Sequence, residues 1–249
     1  MAGPKVVASI EARMGSTRLP GKVLHDIDGK PALGRLVHRL RQCRSLNDVI
    51  VATSTAAGDD PIAAWCAGNG VRCFRGSEDD VLGRVVGAHQ SAGSDLIVEI
   101  TGDCPLTDPA IVDLGVETFL ANDVDVVTNC GSILTWPMGQ YVQVFPLALL
   151  DEINRTSADP AVHEHVSLYF YEHPERYRIL NLVAPSGWEA PQWRMQLDYP
   201  EDLQFQEEVH RRLTATHGDA FGIEPLMVLL RAHPELVQIN LHCEEKAAR

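Results

Sequence analysis

The sequence lacks the features that would place it in or across a membrane. None of its apolar runs approaches the roughly 20 residues that a membrane-spanning helix needs. Its start, MAGPKVVASI, has no basic segment followed by a cleavable apolar one, as a secretory signal would have. Its six cysteines form no C-x-x-C pair, so the sequence indicates neither a zinc knuckle nor a disulfide framework. We therefore expect a cytoplasmic protein with reduced thiols and no membrane partner.

Positive charge is also scarce. The formal net charge of −13 argues against a general nucleic-acid binder, because such proteins neutralise phosphates with basic patches. The first 45 residues are the exception, since nine Lys and Arg minus three Asp and Glu leave a local charge of +6 there. A basic segment in an acidic protein suits a site for a small polyanion. The simpler alternative is a solvated helix face, to which we assign Arg39, Arg41 and Arg44.

Strand-like and helix-like segments alternate through the first half of the chain. The apolar runs KVVASI, DVIVAT, VRCF and DLIVEI are each followed by a longer helix-like stretch, and DVDVVT closes the series. This alternation predicts an α/β fold with a single, mainly parallel sheet and helices on both faces. The second half is less regular, and we expect it to complete one domain over residues 1–249. Ligands bind outside the carboxyl ends of such strands, so the segments after each strand are the candidates for a site.

The loop after the first strand, ARMGSTRLPGKVL, is similar to a phosphate-binding P-loop but departs from it at three positions. Ser16 replaces the first glycine, Val23 replaces the hydroxyl residue, and Pro20 removes a backbone donor. The Gly-Lys pair is retained. The sequence therefore predicts a loop that binds phosphates mainly with side chains. Those side chains are Arg13, Ser16, Arg18 and Lys22.

Two aspartates follow strand-like segments elsewhere. Asp103 comes after DLIVEI in ITGDCPLTDP, and Asp198 follows WRMQL in RMQLDYPEDL. Carboxylates at strand ends opposite a basic loop are natural ligands of Mg²⁺, which prefers one or two carboxylates together with phosphate oxygens. Each aspartate also has a structural alternative, Asp103 as a turn residue and Asp198 as a helix N-cap with Glu201 in a capping box. With the basic loop, the pair would suit phosphoryl or nucleotidyl transfer.

A further candidate is the segment VHEHV, which contains His163, Glu164 and His165. On a helix, residues two positions apart point in different directions, so these histidines are not expected to hold one metal ion. We interpret the three residues as lining a site or lying on the surface.

Six segments together resemble the CMP-sugar cytidylyltransferases. They are IEARMGSTRLPGKVL, IVATSTAAGDD, FRGSEDDVLGRV, ITGDCPLTDP, EHVSLYFYEHPE and RMQLDYPEDL, in the order and spacing of that family. The resemblance spans nearly the whole chain and is greatest to the branch that includes spore coat polysaccharide biosynthesis protein F. It implies a nucleotide-binding fold of the glycosyltransferase A type. It also implies Mg²⁺-dependent transfer of CMP from CTP to a small anionic acceptor, release of pyrophosphate, and a homodimer.

The resemblance also implies roles for individual residues. It implies catalytic roles for Arg13, Lys22 and Asp103, and metal ligation by Asp103 and Asp198. It implies nucleotide binding by Ala12, Arg13, Ser16, Arg18, Lys22, Thr53, Ser54 and Asp103. For the dimer, we expect the contact in WPMGQYVQVFPLALL and VSLYFY, which are apolar segments outside the strand and helix alternation.

The chain departs from the family pattern at positions that would face the acceptor. Relatives often have arginine where this chain has Glu99 and His163, and Pro-Arg-Gly-x-Asp-x-Glu where it has PMGQYVQ. Arginine binds carboxylates through a planar fork that methionine and histidine lack. We therefore expect N-acetylneuraminate to be a poor substrate. The acceptor-side candidates are Met138, Gln140, Tyr141, Gln143, His163, Glu164 and His165.

Two alternatives stay open in the sequence. One is CMP transfer to a phosphonate or another non-sugar acceptor. The other is a nucleotide-binding or regulatory module without turnover, against which the combination of both aspartates with Lys22 argues.

Overall fold

A seven-stranded sheet organises the part of the chain that the computed structural model describes, residues 3–219 and 221–245. The strands in these residues are β1 (Val6–Glu11), β2 (Asp26–Ile27), β3 (Lys30–Pro31), β4 (Asp48–Ser54), β5 (Arg72–Gly76), β6 (Leu96–Thr101), β7 (Val126–Thr128), β8 (Gln143–Pro146) and β9 (Ile179–Asn181). Strands β2 and β3 pair only with each other, and the remaining seven lie in the order β5-β4-β1-β6-β8-β7-β9.

The sheet is mainly parallel. Strand β8 is antiparallel to its neighbours β6 and β7, whereas the other pairings are parallel. Parallel strands need a crossover connection, and the helices after β3, β4 and β5 supply it. The predicted fold class is therefore confirmed.

Ten α-helices in the described residues cover the sheet. They are α1 (Ala32–Leu40), α2 (Asp60–Gly68), α3 (Val81–Ala92), α4 (Pro109–Ala121), α5 (Leu147–Thr156), α6 (Pro160–Glu164), α7 (Leu168–Glu172), α8 (Pro200–His217), α9 (Ile223–Ala232) and α10 (Pro234–Gln238). Helices α1, α2, α4, α8 and α9 share one apolar core with the sheet, and α3, α5, α6 and α7 share a second one.

Alternation along the central strands assigns the side chains to these two cores. In β1, Val6, Ala8 and Ile10 join the first core, and Val7 joins the second. Successive side chains of a strand point to opposite faces, which is why buried parallel strands read as continuous apolar runs.

The structure corrects three expectations for the second half and for the basic segment. WRMQL is an extended segment with one bridge, between Arg194 and Met138, and not a regular strand. The apolar segments assigned to a dimer contact supply core residues such as Trp136 and Phe145, both at most 2% exposed. Arg39 is not on a solvated face, since it is 1% exposed and donates to backbone carbonyls.

The described part of the chain contains no helix that is both long and apolar enough to cross a membrane. All six cysteines are free thiols.

Candidate active site

The candidate site lies at the carboxyl ends of β1 and β6, where the loops after the two strands meet. Lys22 ends the first loop, and its Nζ lies 2.7 Å from Oδ2 of Asp103 in the second. The same ammonium lies 2.5 Å from Oδ1 of Asp198. Asp198 is brought to this edge because the amide of Leu197 donates to the carbonyl of Asp103 at 2.8 Å. The structure thus places together the lysine and the two aspartates that the sequence singled out.

Two glycines fix the positions of these side chains. The amide of Gly102 donates to the carbonyl of Glu11 at 2.9 Å, and a Cβ on Gly102 would lie only 2.6 Å from that oxygen. Gly21 has a φ of 71°, a left-handed conformation that glycine adopts without strain. Its amide donates to the carbonyl of Met14 at 2.9 Å and closes the first loop. Backbone geometry therefore requires the glycine directly before Lys22 and the one directly before Asp103.

Asp59 connects the first loop to the end of β4. Its carboxylate accepts from the amide of Met14 at 2.7 Å and from the hydroxyl of Ser54. Ser54 and Thr53 are fully buried at the end of β4. The Ser54 hydroxyl is committed to Asp59 and holds the loop through it, whereas Oγ1 of Thr53 has no hydrogen-bond partner among the described residues. Their place near the nucleoside stays a prediction.

The charges around Lys22 compensate one another. Burial disfavours the ammonium, but the carboxylates of Asp103 and Asp198 outweigh burial and raise the pKa of Lys22. Burial would also raise the pKa of Asp103, yet the adjacent Lys22 charge and hydrogen bonds hold that pKa below its usual value. Lys22 and Asp103 therefore coexist in their charged forms.

Two arginines bind the second oxygen of Asp198. Nη2 of Arg18 lies 3.0 Å from Oδ2, and Nη2 of Arg194 lies 3.2 Å from it. The expected capping box of Asp198 with Glu201 is not formed. The carboxylate of Asp202 caps α8 and accepts from the amide of Asp198 itself at 2.8 Å. The Asp198 side chain is therefore free to face Lys22 and Arg18.

Two adjoining cavities open at this edge. The first has a volume of about 320 Å³, and the second, next to Asp198, of about 590 Å³. Six residues line both of them: Arg13, Lys22, Thr101, Asp103, Glu164 and His165. Ala12 lines the first cavity and Arg18 the second. Most residues predicted from the basic loop are thus at the walls of one continuous cleft.

Ser16 has a local role in the basic loop. Its hydroxyl accepts from the amide of Leu19 at 3.3 Å, and Ser16 lines neither cavity. Arg13 joins the loop to α6, since its Nη2 lies 3.1 Å from Oε1 of Glu164. The loop is therefore held by an internal hydrogen bond and by an ion pair with α6.

Two of the acceptor-side candidates are buried structural residues. Oε1 of Gln140 accepts from the amide of Asp108 at 3.0 Å, and its Nε2 donates to the carbonyl of Leu106 at 2.6 Å. Gln143 is buried on β8 and accepts from the hydroxyl of Tyr171. Both side chains are committed to these partners, which corrects their assignment to the acceptor pocket.

The VHEHV segment divides between structure and site. Both ring nitrogens of His163 are engaged, Nδ1 at 2.6 Å from Oδ1 of Asp80 and Nε2 at 3.0 Å from the carbonyl of Ser157. The hydrogen bond with Asp80 is the main cause that raises the pKa of His163. His163 lines neither cavity, which corrects its acceptor-side assignment, whereas Glu164 and His165 line both.

Met138 and Tyr141 also lie off the cleft walls. Sδ of Met138 lies 3.3 Å from Nη1 of Arg194, and Tyr141 is half-buried. Burial raises the pKa of the Tyr141 hydroxyl well above its usual value. Neither residue lines the two cavities, so the changed PMGQYVQ segment contributes no wall residue to the cleft.

The floor of the first cavity contains Glu99, one of the changed positions that the sequence places towards the acceptor. Three residues that sequence reasoning did not assign line it as well: Glu11, Arg84 and Ser167. No local pattern marked Ser167, since its position depends on the packing of α7 over the sheet.

Asp103 and Asp198 suit a Mg²⁺ ion whose remaining ligands come from a substrate and from water. Among the described residues, no group of three or more His, Cys, Asp or Glu could hold a metal ion without further ligands. Asp103 and Asp198 already share one cation, the Lys22 ammonium. Mg²⁺ typically takes one or two carboxylates and completes its shell with phosphate oxygens and water.

Comparison with known proteins agrees with this geometry. The family model described as Cytidylyltransferase matches residues 7–232. The chain belongs to the cytidylyltransferase family. The spore coat polysaccharide biosynthesis protein SpsF of Bacillus subtilis is 36% identical to this cytidylyltransferase over 231 residues, which cover 91% of this chain and 94% of SpsF. The family predicted from the six segments is therefore confirmed.

Solved structures have the same fold. A cytidylyltransferase from Leptospira borgpetersenii matches with a TM-score of 0.88 at 30% identity, over 98% of this chain and 100% of its own. A CMP:2-keto-3-deoxy-manno-octonic acid synthetase complexed with CTP matches with a TM-score of 0.63 at 19% identity, over 84% of this chain and 99% of its own. At that lower identity, the likeness concerns the fold alone.

Proposed function

We propose that this cytidylyltransferase transfers CMP from CTP to a small acceptor and releases pyrophosphate in a Mg²⁺-dependent reaction. The observation that carries the proposal is Lys22 held between Asp103 and Asp198 at the mouth of a cleft formed by the basic loop. An inactive binding module would not need two aspartate side chains beside a triphosphate site. The name of SpsF, a polysaccharide biosynthesis protein, supports a role in making an activated sugar or a related compound.

The residues of the cleft suit charge neutralisation and positioning. Arg13, Arg18 and Lys22 would neutralise the triphosphate, and Asp103 and Asp198 would hold Mg²⁺, which would stabilise negative charge on the reacting phosphate. The acceptor oxygen would attack the α-phosphorus in line as the bond to pyrophosphate breaks. Lys22 would exchange its carboxylate partners for phosphate oxygens when substrate and metal bind.

A pyrophosphate-release assay tests this proposal. The protein is supplied in turn with CTP, UTP, GTP or ATP, with Mg²⁺, and with a panel of acceptors that includes sugar acids and phosphonates. We expect release with CTP and an acceptor, and loss of release in EDTA. Equal use of UTP or GTP would contradict the base assignment, and release that survives EDTA would contradict the metal assignment.

The proposal extends to location and assembly. The six free thiols suit a reducing compartment, which supports a cytoplasmic location. An exposed apolar patch of three residues supports a homodimer. Ile133 is 48% exposed, and Leu134 and Val183 are each 56% exposed. A hydrogen bond from the amide of Ala184 to Thr135 joins the two segments that carry them.

A further inference from the structure

Two glutamates form an acidic floor in the first cavity. In the parallel pairing of β1 with β6, Ser9 is paired with Glu99 and Glu11 with Thr101. Because side chains two residues apart on a strand share a face, Glu11 and Glu99 point to the same side of the sheet as diagonal neighbours. Both line the cavity that also contains Lys22 and Asp103. The floor is therefore part of the candidate active site but lies deeper than the phosphate-facing loop.

Glu99 has an oxygen without a partner. The residue is 6% exposed, and its Oε2 has no hydrogen-bond partner among the described residues. A side-chain hydrogen bond with Ser167 lowers the pKa of Glu99, against the larger effect of burial. Glu11 accepts a hydrogen bond from the hydroxyl of Ser9 at 3.1 Å. Buried polar atoms in native proteins are nearly always satisfied, so an unpartnered carboxylate oxygen on a residue that lines a cavity is a candidate acceptor for a donor from outside the chain, a water or a ligand.

Arg84 lines the same cavity but forms no ion pair with either glutamate in the described residues. Its Nη1 donates to the carbonyl of Ser77 at 2.6 Å and contacts that of Glu78, and its Nε has no hydrogen-bond partner among the described residues. Its charge reaches the floor only through space. When both glutamates are ionised, two carboxylates face one guanidinium, so these three groups have a net charge of −1.

The electrostatics agree with that deficit. Burial, followed by repulsion from Glu99, raises the pKa of Glu11 well above its usual value. Burial raises the pKa of Glu99 to about 7. A cation placed between the two groups would relieve both effects.

On the proposed function, we infer that the acidic floor of Glu11 and Glu99 binds a protonated amine of the acceptor. The cytosine amino group and the ribose hydroxyls of CTP can donate to a carboxylate, but no group of CTP is cationic, whereas an amine of the acceptor would supply both the donor and the charge. Hydrogen bonds between an ammonium and a carboxylate are among the stronger ones in proteins, particularly away from water. The acceptor is therefore an amine-bearing compound and not one that presents a carboxylate to the floor.

The position of Glu99 also limits the size of the acceptor. Glu99 precedes Thr101 by two residues, which places it about 7 Å deeper along the strand. A spacer of a few carbon atoms between the anionic end of a ligand and its amine matches that depth.

Three ligands that differ only at one end test the inference. We would measure by titration calorimetry the binding of 3-aminopropylphosphonate, propylphosphonate and 4-phosphonobutyrate to the full chain. The shared phosphonate provides an anion for the basic loop, and the third carbon of the shared chain carries an ammonium, a hydrogen atom or a carboxylate. We expect the amine to bind about tenfold more tightly than the propyl compound, and the carboxylate to bind most weakly.

Two variants test whether Glu99 causes the preference for the amine. Glu99→Gln keeps the shape of the side chain and removes its charge, and we expect it to abolish the preference for the amine. Glu78→Gln is the matched control, because it makes the same substitution at an exposed position near the amino end of α3. It should keep the preference. Melting curves of both variants at pH 8 check that each is folded.

The inference is overturned if the amine shows no preference over the propyl compound at millimolar concentration, or if the carboxylate binds best. That second result would assign the floor to protonated glutamates that donate to an acid. A preference that persists in Glu99→Gln would also overturn it. Because this assay requires no turnover, its outcome is independent of the pyrophosphate-release assay, and either proposal can fail without the other.

Discussion

The amide of Leu197 donates a 2.8 Å hydrogen bond to the carbonyl of Asp103 and thereby joins two segments that lie 94 residues apart in the chain (197 minus 103). This bond places the carboxylate of the next residue, Asp198, within reach of the same lysine that contacts Asp103. A site of this kind depends on backbone pairing between segments. Without such pairing, two carboxylates on separate loops would not stay close to one cation. The pairing is the reason that changes to single charges here should affect turnover more than folding.

Lys22→Ala should reduce turnover by about 10²-fold or more, because it removes a cation that would face the phosphates. The fold should be kept, since the side chain lies at the cleft and not in either core. Lys30→Ala serves as the control, because Lys30 pairs with Asp219 and lines neither of the two cavities at the site. Steady-state pyrophosphate release and a melting curve for each variant check the prediction. A Lys22→Ala enzyme with near wild-type turnover would contradict it.

Asp103→Asn should cost about 10²-fold or more in turnover and should weaken the response to Mg²⁺. Asparagine supports the same turn as aspartate, so the variant separates a ligand from a turn residue. The measurement is turnover over a Mg²⁺ titration, with Asp26→Asn as the control because Asp26 is exposed on β2. If Asp103 only shapes the turn, Asp103→Asn will have nearly the wild-type rate and the same Mg²⁺ dependence.

The basic loop and Asp103 could be predicted from the sequence because their signals are local. Gly21 and Lys22 stand in a short glycine-containing loop after an apolar run, and Asp103 follows Gly102 directly after another. In each case the required backbone geometry is encoded by the neighbouring residues. The alternation of strands and helices is similarly local, and it was sufficient to predict a mainly parallel sheet.

The failures involve residues whose partners are distant in sequence. Asp202, and not Asp198, caps α8, because Arg194 and Asn240 complete the surroundings of the Asp202 carboxylate. Gln140 resembles a pocket residue in its motif, yet it holds the backbone of Asp108. Side-chain type and spacing do not reveal such tertiary partners.

Arg39 is the clearest example, and it leads to a stability prediction. It is 1% exposed, its Nε donates to the carbonyl of Thr107 at 2.8 Å, and its Nη2 donates to that of Phe221 at 2.7 Å. Burial lowers the pKa of its guanidinium to about 10, which keeps it charged at neutral pH. Arg39→Leu should cost about 3 kcal/mol or more of unfolding free energy, because it leaves buried carbonyls without donors.

Denaturant titration of Arg39→Leu and Arg41→Leu checks this prediction. Arg41 is the neighbour on the same segment and is exposed, with one hydrogen bond to the carbonyl of Gly70. Its replacement should change stability by well under about 1 kcal/mol. Equal effects of the two substitutions would show that Arg39 contributes no more than a surface arginine.

The homodimer proposal predicts that light scattering at micromolar concentration reports twice the mass of the chain. Leu134→Asp should shift the protein to monomers, because it places a charge in the exposed patch of Ile133, Leu134 and Val183. Val228→Asp is the control, since Val228 is 64% exposed on α9, away from that patch. A wild-type monomer would contradict the proposal, and dissociation by Val228→Asp instead would place the contact on α9.

His89 should make the protein sensitive to acid. It is fully buried on α3, its Nδ1 lies 3.0 Å from Oγ of Ser94, and its Nε2 has no hydrogen-bond partner among the described residues. Burial lowers the pKa of His89 to about 4, whereas the unfolded chain should titrate near about 6.5. Between these values the unfolded state binds a proton that the native state does not, so stability falls as pH decreases from about 6.5 to about 4.

A difference measurement isolates this contribution. Glu99 acts in the opposite direction over an overlapping range, because its pKa of about 7 in the native protein lies above that of an unfolded glutamate. The unfolding free energy of His89→Gln should therefore be compared with that of the wild type at each pH. The difference should shift in favour of the variant by roughly 3 kcal/mol between pH 7 and pH 4. His242→Gln, at a site whose side chain is 67% exposed, should show no comparable shift, and a flat difference for His89→Gln would mean that the histidine takes up its proton in the native state.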